Sequence, residues 1–278
     1  MATYMKDGKR VGISIGVDLN GKSFKYNYGE TAPGSGISPS DKSIYKIGSI
    51  TKTFTGLLVA HAITEGRIAL NDDIRKFLPG NFPNLQYPNG DPVKIGYLLV
   101  HTAQFPSSMG EQLSFPVSDE VFLKFLNGIK LDSLRSFRYV YSNVGYQLLG
   151  FILEKIYHKS YEELVSKYIT IPFGMTQTKV EYGANSASIL LKGYGTYKEA
   201  INPMPMTLPG AGGLGSSVRD MLKYLYYQNM EKSPEVRLIH RLIIGDVDKE
   251  AYGFQWAIGK NWNWDQYIRT DGVIKWIS

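Results

Sequence analysis

The sequence contains no cysteine. This absence excludes disulfide bonds, thiolate metal sites and cysteine nucleophiles. It leaves the cellular compartment open, because cysteine-free chains fold in oxidising and reducing surroundings alike. None of the four histidines has a second histidine four residues away, the spacing of a helical zinc site. The sequence therefore predicts no metal site.

Long apolar runs and long basic runs are also missing. No apolar run approaches the roughly 18 residues that cross a membrane, so no membrane span is expected. The first residues lack the apolar stretch of a signal peptide, and we expect none in this chain. Lys and Arg (31) exceed Asp and Glu (25), which gives a net charge of +6, but no run of five basic residues occurs. A solvated basic surface is therefore a better interpretation than nucleic-acid binding.

The 278 residues, 43% hydrophobic and 20% charged, have the composition of a globular protein. Apolar residues alternate over 11–17 and again over 24–28, and Asn20-Gly21 lies between them, a pattern that predicts a β-hairpin. Near the other end, alternation over 252–258 predicts a strand. An apolar-rich piece follows at 267–277.

Helical patterns fill the middle of the chain. The stripe Val144, Leu148, Leu149, Ile152 and Ile156 has helical spacing, and residues 119–127 are compatible with a further helix. Capping patterns at Ser160 and Ser217 predict two more helix starts.

These patterns together predict an α+β fold. One antiparallel sheet is expected from both chain ends, flanked by helices, with a mostly helical lobe inserted in it. We place the sheet lobe at residues 1–49 and 241–278, the helical lobe at 50–240, and the active site between them.

The stretch around Ser49 carries the first candidate chemistry. Ser49 and Lys52 are three residues apart at the start of a helical run that ends at Gly66, so they share one helix face. The backbone N–H groups and the positive dipole end of the helix lie beside such a serine. A second Ser-x-x-Lys pair, Ser43 and Lys46, lies in an extended pattern that points the two side chains to opposite faces. Ser49 is therefore the better candidate.

Other sequence motifs offer alternative candidates for functional residues. Gly12-x-Ser14-x-Gly16 fits the nucleophile elbow of α/β-hydrolases, but that motif needs a helix after the strand, and here the strand pattern continues into a hairpin. An esterase that uses Ser14 remains the third hypothesis. His101 could belong to a Ser-His-Asp triad, although no spacing links it to a serine. The glycine cluster 210–215 lacks the Gly-Lys-Ser/Thr of a phosphate loop and favours a tight turn, so no cofactor is predicted.

Tyr-x-Asn occurs three times, beginning at Tyr87, Tyr141 and Tyr227. The first lies in a Pro/Gly loop and the third at a helix end. Tyr141 comes directly before the helix predicted from residue 144, where a side chain can be held rigidly. Spacing alone makes Tyr141 only the best of the three.

Ser49, Lys52, Tyr141 and Asn143, in this order, resemble the motifs of the serine β-lactamase and penicillin-binding-protein family. The nearest likeness is its class C β-lactamase, D,D-peptidase and esterase branch. The resemblance runs from about residue 11 to the C-terminus and includes the stretches 47–56, 65–72, 98–102, 141–146, 171–176 and 211–214. It favours Ser49 and Tyr141 over the competing matches.

The resemblance implies acyl transfer through a covalent acyl-enzyme on Ser49. Lys52 would act as a neutral amine or as a cation that favours the Tyr141 phenolate, and Tyr141 would be the general base for acylation and the acid for the leaving group. Which residue takes the first proton is disputed within this superfamily and stays open here. Asn143 would bind the substrate amide, and the Ser49 N–H would form half of the oxyanion hole. The substrate would be a small molecule or peptide, and the location periplasmic or extracytoplasmic. The oligomeric state stays open.

The family's third motif is the weakest match. We prefer the register Thr270-Asp271-Gly272, which keeps the glycine and places the second oxyanion N–H on Val273. In this register the motif's cation is missing unless Arg269 supplies it. A shift by one residue instead puts Arg269 in the cation position and Asp271 in the glycine position.

The other departures lie at a turn and at the chain end. Ala103-Gln104 replaces an expected Ser-Gly turn, and the family's last two strands and C-terminal helix have no counterpart before Ser278. These departures support an alternative, a non-catalytic family member or inactive fragment that acts as a binding or sensing domain.

Overall fold

A computed structural model gives the structure of the protein and describes residues 5, 10–19, 21–110, 117–132, 138–182, 189–195, 197–201, 208–260 and 266–270. Its α-helices are α1 (Thr51–Thr64), α2 (Ile95–Leu99), α3 (Asp119–Asn127), α4 (Asn143–Tyr157), α5 (Tyr161–Val165), α6 (Pro209–Gly212), α7 (Val218–Met230) and α8 (Pro234–Ile239). Short 3-10 helices cover Gly48–Ile50 and Ile74–Phe77, and a π-helical turn covers Ser166–Thr170. The strands are β1 (Gly12–Leu19), β2 (Lys22–Gly29), β3 (Ile44–Lys46), β4 (Gly193–Tyr194), β5 (Ala200–Ile201), β6 (Gly215–Ser217), β7 (Ile244–Asp246), β8 (Glu250–Gly253), β9 (Trp256–Lys260) and β10 (Gln266–Arg269).

The predicted N-terminal hairpin is confirmed. β1 and β2 pair in antiparallel register, with Leu19 opposite Lys22, so two residues connect them. Gly21 has a φ of +79°, as a tight two-residue hairpin turn requires. Helix α7 packs on β1 so closely that a Cβ on Gly16 would lie 2.9 Å from the Leu222 side chain. The small residues of the Gly-x-Ser-x-Gly match therefore serve close packing in a strand, and the esterase hypothesis on Ser14 is wrong.

The predicted single strand over 252–258 is wrong. The chain instead reverses at Phe254 and Gln255, whose φ values are +23° and +79°, and β8 and β9 pair with each other on either side. The reversal places Phe254, which is fully buried, against α1, where a Cβ on Gly56 would lie 2.9 Å from the Phe254 carbonyl oxygen. The burial of the Phe254 ring and the close approach of the Phe254 and Gly56 backbones favour a turn here, although the residues alternate in the way that is typical of a strand.

The α+β fold class is confirmed, with antiparallel sheets beside a helical region. Strands β7 to β10 form a four-stranded meander. Among the described residues the hairpin and the meander belong to separate sheets, whereas the sequence predicts one sheet from both chain ends. Residues 271–278, which include most of the apolar-rich piece at 267–277, lie outside the described residues. The division into lobes at 1–49 and 241–278 against 50–240 stays a prediction.

Helix α1 lies at the centre of the core, and every residue from Thr51 to Ala60 is buried. The helix starts predicted at Ser160 and Ser217 are confirmed, since each side chain accepts a backbone N–H at its helix N-terminus, and Ser160 forms the full capping box with Glu163. The glycine cluster differs from the predicted turn, because α6 ends at Gly212 and β6 then pairs with β3. In the described part of the chain no helix is long and apolar enough to cross a membrane.

Candidate active site

Ser49 lies where the chain passes from β3 into α1. Gly48 has a φ of +52°, which lets the chain turn from the strand into the 3-10 helix that holds Ser49. The Ile47 N–H donates to the Leu214 carbonyl at 3.0 Å and fixes the entry to this turn. Ser49 is half-buried, so its hydroxyl can be reached from outside. Its backbone N–H belongs to the first turn of a helix, where no intrahelical acceptor exists.

Lys52 lies one turn further along and is fully buried. Its Nζ lies 3.0 Å from Ser49 Oγ, 2.7 Å from Asn143 Oδ1 and 2.7 Å from the Ala211 carbonyl oxygen. Burial disfavours the charged amine and lowers the pKa of Lys52 from 10.5 to about 7. Both protonation states of this amine are therefore accessible near neutral pH.

The contacts of Lys52 fit both states. A neutral amine has two N–H groups and one lone pair. The two carbonyl acceptors, on Asn143 and Ala211, can only receive hydrogens, so the lone pair of the neutral amine faces Ser49 Oγ. In the cation the third hydrogen takes that position. A change in the protonation of Lys52 therefore changes whether a lone pair or an N–H group faces Ser49 Oγ.

Tyr141 completes the group around the serine hydroxyl. Its phenol lies 2.5 Å from Ser49 Oγ, and Lys52 Nζ lies 4.8 Å from the centre of its ring. Burial raises the pKa of Tyr141 above its ordinary value, and the hydrogen bond with Ser49 opposes this rise. The neutral phenol is therefore the resting form, which makes Tyr141 a proton donor and leaves Lys52 as the readier proton acceptor.

The segment that carries Tyr141 is held by the loop at 101–107. Ser142 Oγ donates to the Pro106 carbonyl at 2.7 Å and also caps α4 by accepting the Gly145 N–H. Asn143 Nδ2 donates to the Ser107 carbonyl at 2.9 Å. With Oδ1 bound to Lys52, this second bond fixes the Asn143 amide in one orientation. It leaves the second hydrogen on Nδ2 for a substrate.

A third segment, residues 208–214, is hydrogen-bonded to the side chains at the start of α1. Besides Lys52, Thr55 Oγ1 donates to the Gly210 carbonyl at 2.6 Å, and Thr51 Oγ1 accepts the Leu214 N–H at 3.2 Å. Three side chains within two turns of α1 therefore bind the backbone of the glycine cluster.

Two of the residues predicted for the strand side of the site, Arg269 and Thr270, are described by the structure. Arg269 is exposed at the end of β10, and Thr270 is half-buried, with an Oγ1 that is buried and lacks a hydrogen-bond partner among the described residues. Within the same residues no hydrogen bond joins Arg269 or Thr270 to Ser49. Gly272 and Val273, the predicted glycine and oxyanion positions, lie outside the described residues.

The competing motif matches all have other contacts. Ser43 Oγ accepts the Ser40 N–H at 2.9 Å, while Lys46 Nζ donates to the Val180 and Gly213 carbonyls. The Tyr87 phenol is buried in the core, and the Tyr227 phenol donates to the Pro172 carbonyl.

The structure thus brings Ser49, Lys52, Tyr141 and Asn143 into one hydrogen-bonded group, although their individual roles stay predictions. No cluster of three or more His, Asp or Glu side chains that could hold a metal occurs in the part of the chain that the structure describes. A cavity of about 910 Å³ lies elsewhere and is lined by residues between Lys159 and Lys179.

A family model named Beta-lactamase matches residues 1–276 of the chain. The chain belongs to the β-lactamase family. This membership, together with the relatives below, places it among the serine β-lactamases and penicillin-binding-protein-like proteins.

Relatives support this placement. The D-alanyl-D-alanine-carboxypeptidase/endopeptidase AmpH of Escherichia coli K12 is 29% identical over 218 residues, which cover 75% of this chain and 54% of AmpH. The chain spans about half the length of the curated relatives it matches, 56% and 54% of the first two.

Solved structures show the same fold. The octameric penicillin-binding protein homologue of Pyrococcus abyssi superimposes with a TM-score of 0.83 at 27% identity, over 98% of this chain and 66% of that one. A class C β-lactamase superimposes with a TM-score of 0.79 at 22% identity, over 93% of this chain and 72% of that one.

Three contacts in the site of this β-lactamase-family chain could not be inferred from sequence motifs. The Ala211 and Ser107 carbonyls act through the backbone, which residue types do not report. His101 is buried beside Tyr141, and its ring nitrogens contact the Ser142 N–H and Gln255 Oε1 rather than a serine hydroxyl, so the triad hypothesis is wrong. The sequence signals for two of these residues are the stretches that resemble the family: 98–102 contains His101, and 211–214 contains Ala211.

Proposed function

We propose that the protein is a serine hydrolase that forms an acyl-enzyme on Ser49 and hydrolyses an amide or ester bond. The observation that carries the proposal is the position of Ser49 Oγ, 3.0 Å from Lys52 Nζ and 2.5 Å from the Tyr141 phenol. A serine needs an adjacent base to become a nucleophile, and an amine with a pKa of about 7 supplies one at neutral pH.

In the acylation step, Ser49 Oγ attacks the substrate carbonyl carbon while its proton passes to neutral Lys52. The Ser49 N–H donates to the oxyanion, and the free hydrogen on Asn143 Nδ2 donates to the substrate amide. When the scissile bond breaks, Tyr141 gives its phenolic proton to the leaving nitrogen or oxygen. The acyl-enzyme is left with a Lys52 cation beside a Tyr141 phenolate, and the two opposite charges stabilise each other, since Lys52 Nζ lies 4.8 Å from the centre of the Tyr141 ring.

Deacylation reverses the roles of the same two groups. Water attacks the acyl carbon and gives a proton to the Tyr141 phenolate. The departing Ser49 oxygen takes a proton from the Lys52 cation. The cycle therefore restores the serine, the phenol and the neutral amine without any further group.

The relatives support a proposal for the substrate class. We propose a β-lactam, a D-alanyl-D-alanine peptide or a small ester, because relatives and structural neighbours carry β-lactamase and D-alanyl-D-alanine carboxypeptidase names. Arg269, which is exposed at the end of β10, is the cation that we propose attracts a substrate carboxylate, which the first two classes carry.

The test is intact-mass spectrometry after exposure to a penicillin, a cephalosporin, a D-alanyl-D-alanine peptide and an activated ester. We expect an adduct of acyl mass on the wild type with at least one of them. Ser49→Ala should abolish the adduct, and the matched variant Ser43→Ala, in the second Ser-x-x-Lys pair, should keep it.

Two results would count against the proposal. An adduct on Ser49→Ala as large as on the wild type would place the nucleophile elsewhere. A folded wild type that forms no adduct and releases no product from any of these compounds would favour a non-catalytic binding or sensing domain instead.

A further inference from the structure

His101 is enclosed by aromatic rings next to the proposed acid. It is 3% exposed, and its ring centre lies 4.6 Å from that of Tyr141, 5.1 Å from that of Tyr146 and 5.4 Å from that of Tyr139. Its φ of +57° is unusual for a residue other than glycine. Such a backbone conformation persists only where surrounding contacts hold it.

His101 binds the backbone on both sides of Tyr141. The Val140 N–H donates to the His101 carbonyl at 2.7 Å, and the Ser142 N–H donates to His101 Nδ1 at 3.1 Å. Tyr141 is therefore fixed by its two neighbouring peptide groups as well as by ring contact. No other described residue contacts this segment in all three ways.

The imidazole fits this position in only one form. Because Nδ1 accepts a hydrogen bond, a neutral ring carries its hydrogen on Nε2, where Gln255 Oε1 accepts it at 2.7 Å. A protonated ring would set an N–H against the Ser142 N–H. Burial lowers the pKa of His101 to about 3, and the nearby Lys52 adds to this effect.

We infer that His101, locked as the neutral Nε2–H tautomer by Gln255, is a positioning residue that fixes the Tyr141 phenol against Ser49. Gln255 lies in the turn between β8 and β9, so the meander sets the orientation of the proposed acid through one histidine. The inference rests on the proposed function, in which Tyr141 transfers a proton. A displacement of a catalytic group by about 1 Å can lower a rate by about 100-fold.

The experiment replaces His101 in two ways and measures acylation by stopped-flow with the best compound of the panel. His101→Phe keeps ring packing but leaves the Ser142 N–H and Gln255 Oε1 without partners, and we expect acylation about 100-fold slower with little change in KM. His101→Asn keeps an acceptor near the Nδ1 position and tolerates the left-handed backbone, so its loss should be about tenfold.

His158 provides a matched control. It also has a left-handed backbone, with a φ of +52°, but it is exposed at the end of α4. His158→Phe and His158→Asn should acylate like the wild type. Circular dichroism verifies that each variant is folded.

The second readout is one that packing alone would not change. In Gln255→Glu, the new carboxylate raises the pKa of His101 and favours the protonated ring, which faces Tyr139, Tyr141, Tyr146 and Lys52. We expect an additional acidic ionisation in the rate profile, with full activity recovered at higher pH. Gln255→Met removes the acceptor without adding charge and should show no such ionisation.

The outcomes separate this inference from the proposed function. If the wild type acylates and both His101 variants match it in rate and pH profile, the inference is wrong and the function stands. If the wild type forms no adduct, the function fails, and nitrogen-15 NMR of the imidazole still decides whether His101 holds the segment. A neutral ring with its hydrogen on Nε2 supports that contact, and a hydrogen on Nδ1 at neutral pH overturns it.

Discussion

The two sides of the site are built in different ways. On the helical side, Lys52 is fully buried and hydrogen-bonded to Ser49, Asn143 and the Ala211 backbone, and the Tyr141 phenol contacts the same serine. On the strand side, Arg269 is exposed at the end of β10.

We propose that the difference separates chemistry from recognition. Groups that exchange protons need fixed distances and low-dielectric surroundings, which burial provides. A cation that attracts a substrate carboxylate works at the rim in water, where single charges contribute little. Variants on the helical side should therefore change rates strongly, and variants on the strand side should change substrate binding weakly.

The largest effect is expected for Lys52→Met, which keeps the aliphatic volume and removes the amine. Acylation should fall by about 10⁴-fold, the upper range for loss of a general base. Lys46→Met is the matched control, because Lys46 is half-buried and also has a lowered pKa, but its hydrogen bonds go to the Val180 and Gly213 carbonyls and its other contact is the Tyr182 ring. Stopped-flow rates with the same acylating compound measure both. Equal losses in the two variants would remove the distinction between the two Ser-x-x-Lys pairs.

Tyr141→Phe comes next, with an expected loss of about 10³-fold, since the leaving group is then protonated only by water. Tyr87→Phe serves as the control from another Tyr-x-Asn match. The Tyr87 phenol is buried and has no hydrogen-bond partner among the described residues, so its removal should leave acylation unchanged and the melting temperature equal or higher. A wild-type rate in Tyr141→Phe would contradict the role of the phenol.

The pH profile gives a smaller effect with a defined sign. Lys52 has a pKa of about 7 and is a base only when neutral. Acylation should therefore fall about tenfold per pH unit below pH 7 and level off above it. Arg269→Ala should keep this acidic limb, and Lys52→Met should lose it. A limb that persists in Lys52→Met would assign the ionisation to another group.

The smallest effect is expected on the strand side. Arg269→Ala should raise KM by about two- to fivefold for a substrate with a carboxylate and leave a neutral ester unaffected, as for loss of one exposed charge contact. Arg219→Ala is the control, because the Arg219 guanidinium is already paired with Asp41. A loss of 100-fold or more in Arg269→Ala would show that the strand side takes part in the chemistry.

The sequence predicts the helical side well for local reasons. Ser49 and Lys52 are three residues apart on one helix, and the starts of the helices after Ser160 and Ser217 follow from capping side chains alone. Spacing alone makes Tyr141 only the best of three Tyr-x-Asn matches. The family resemblance favours Tyr141 more strongly, because the order of several motifs along the chain carries information that one motif lacks.

The remaining features depend on tertiary contacts. Gly253 directly precedes the turn at Phe254 and Gln255, but neither of these two residues with positive φ is a glycine or proline, and the apolar alternation continues through them. The packing of Phe254 against Gly56 explains the turn. His101 and Gln255 are 154 residues apart, and no local pattern joins them. For the same reason sequence spacing could not link His101 to Tyr141.

The three acceptors around Lys52 come from very different distances along the chain. Ser49 is 3 residues away, Asn143 is 91 and Ala211 is 159. Loops of the two larger sizes close slowly during folding, so a folding chain completes this group only after most of its long-range contacts exist. Acylation of Ser49 would then report the progress of refolding. A brief pulse of acylating reagent, given at successive times, would modify only the molecules that have reached the native state.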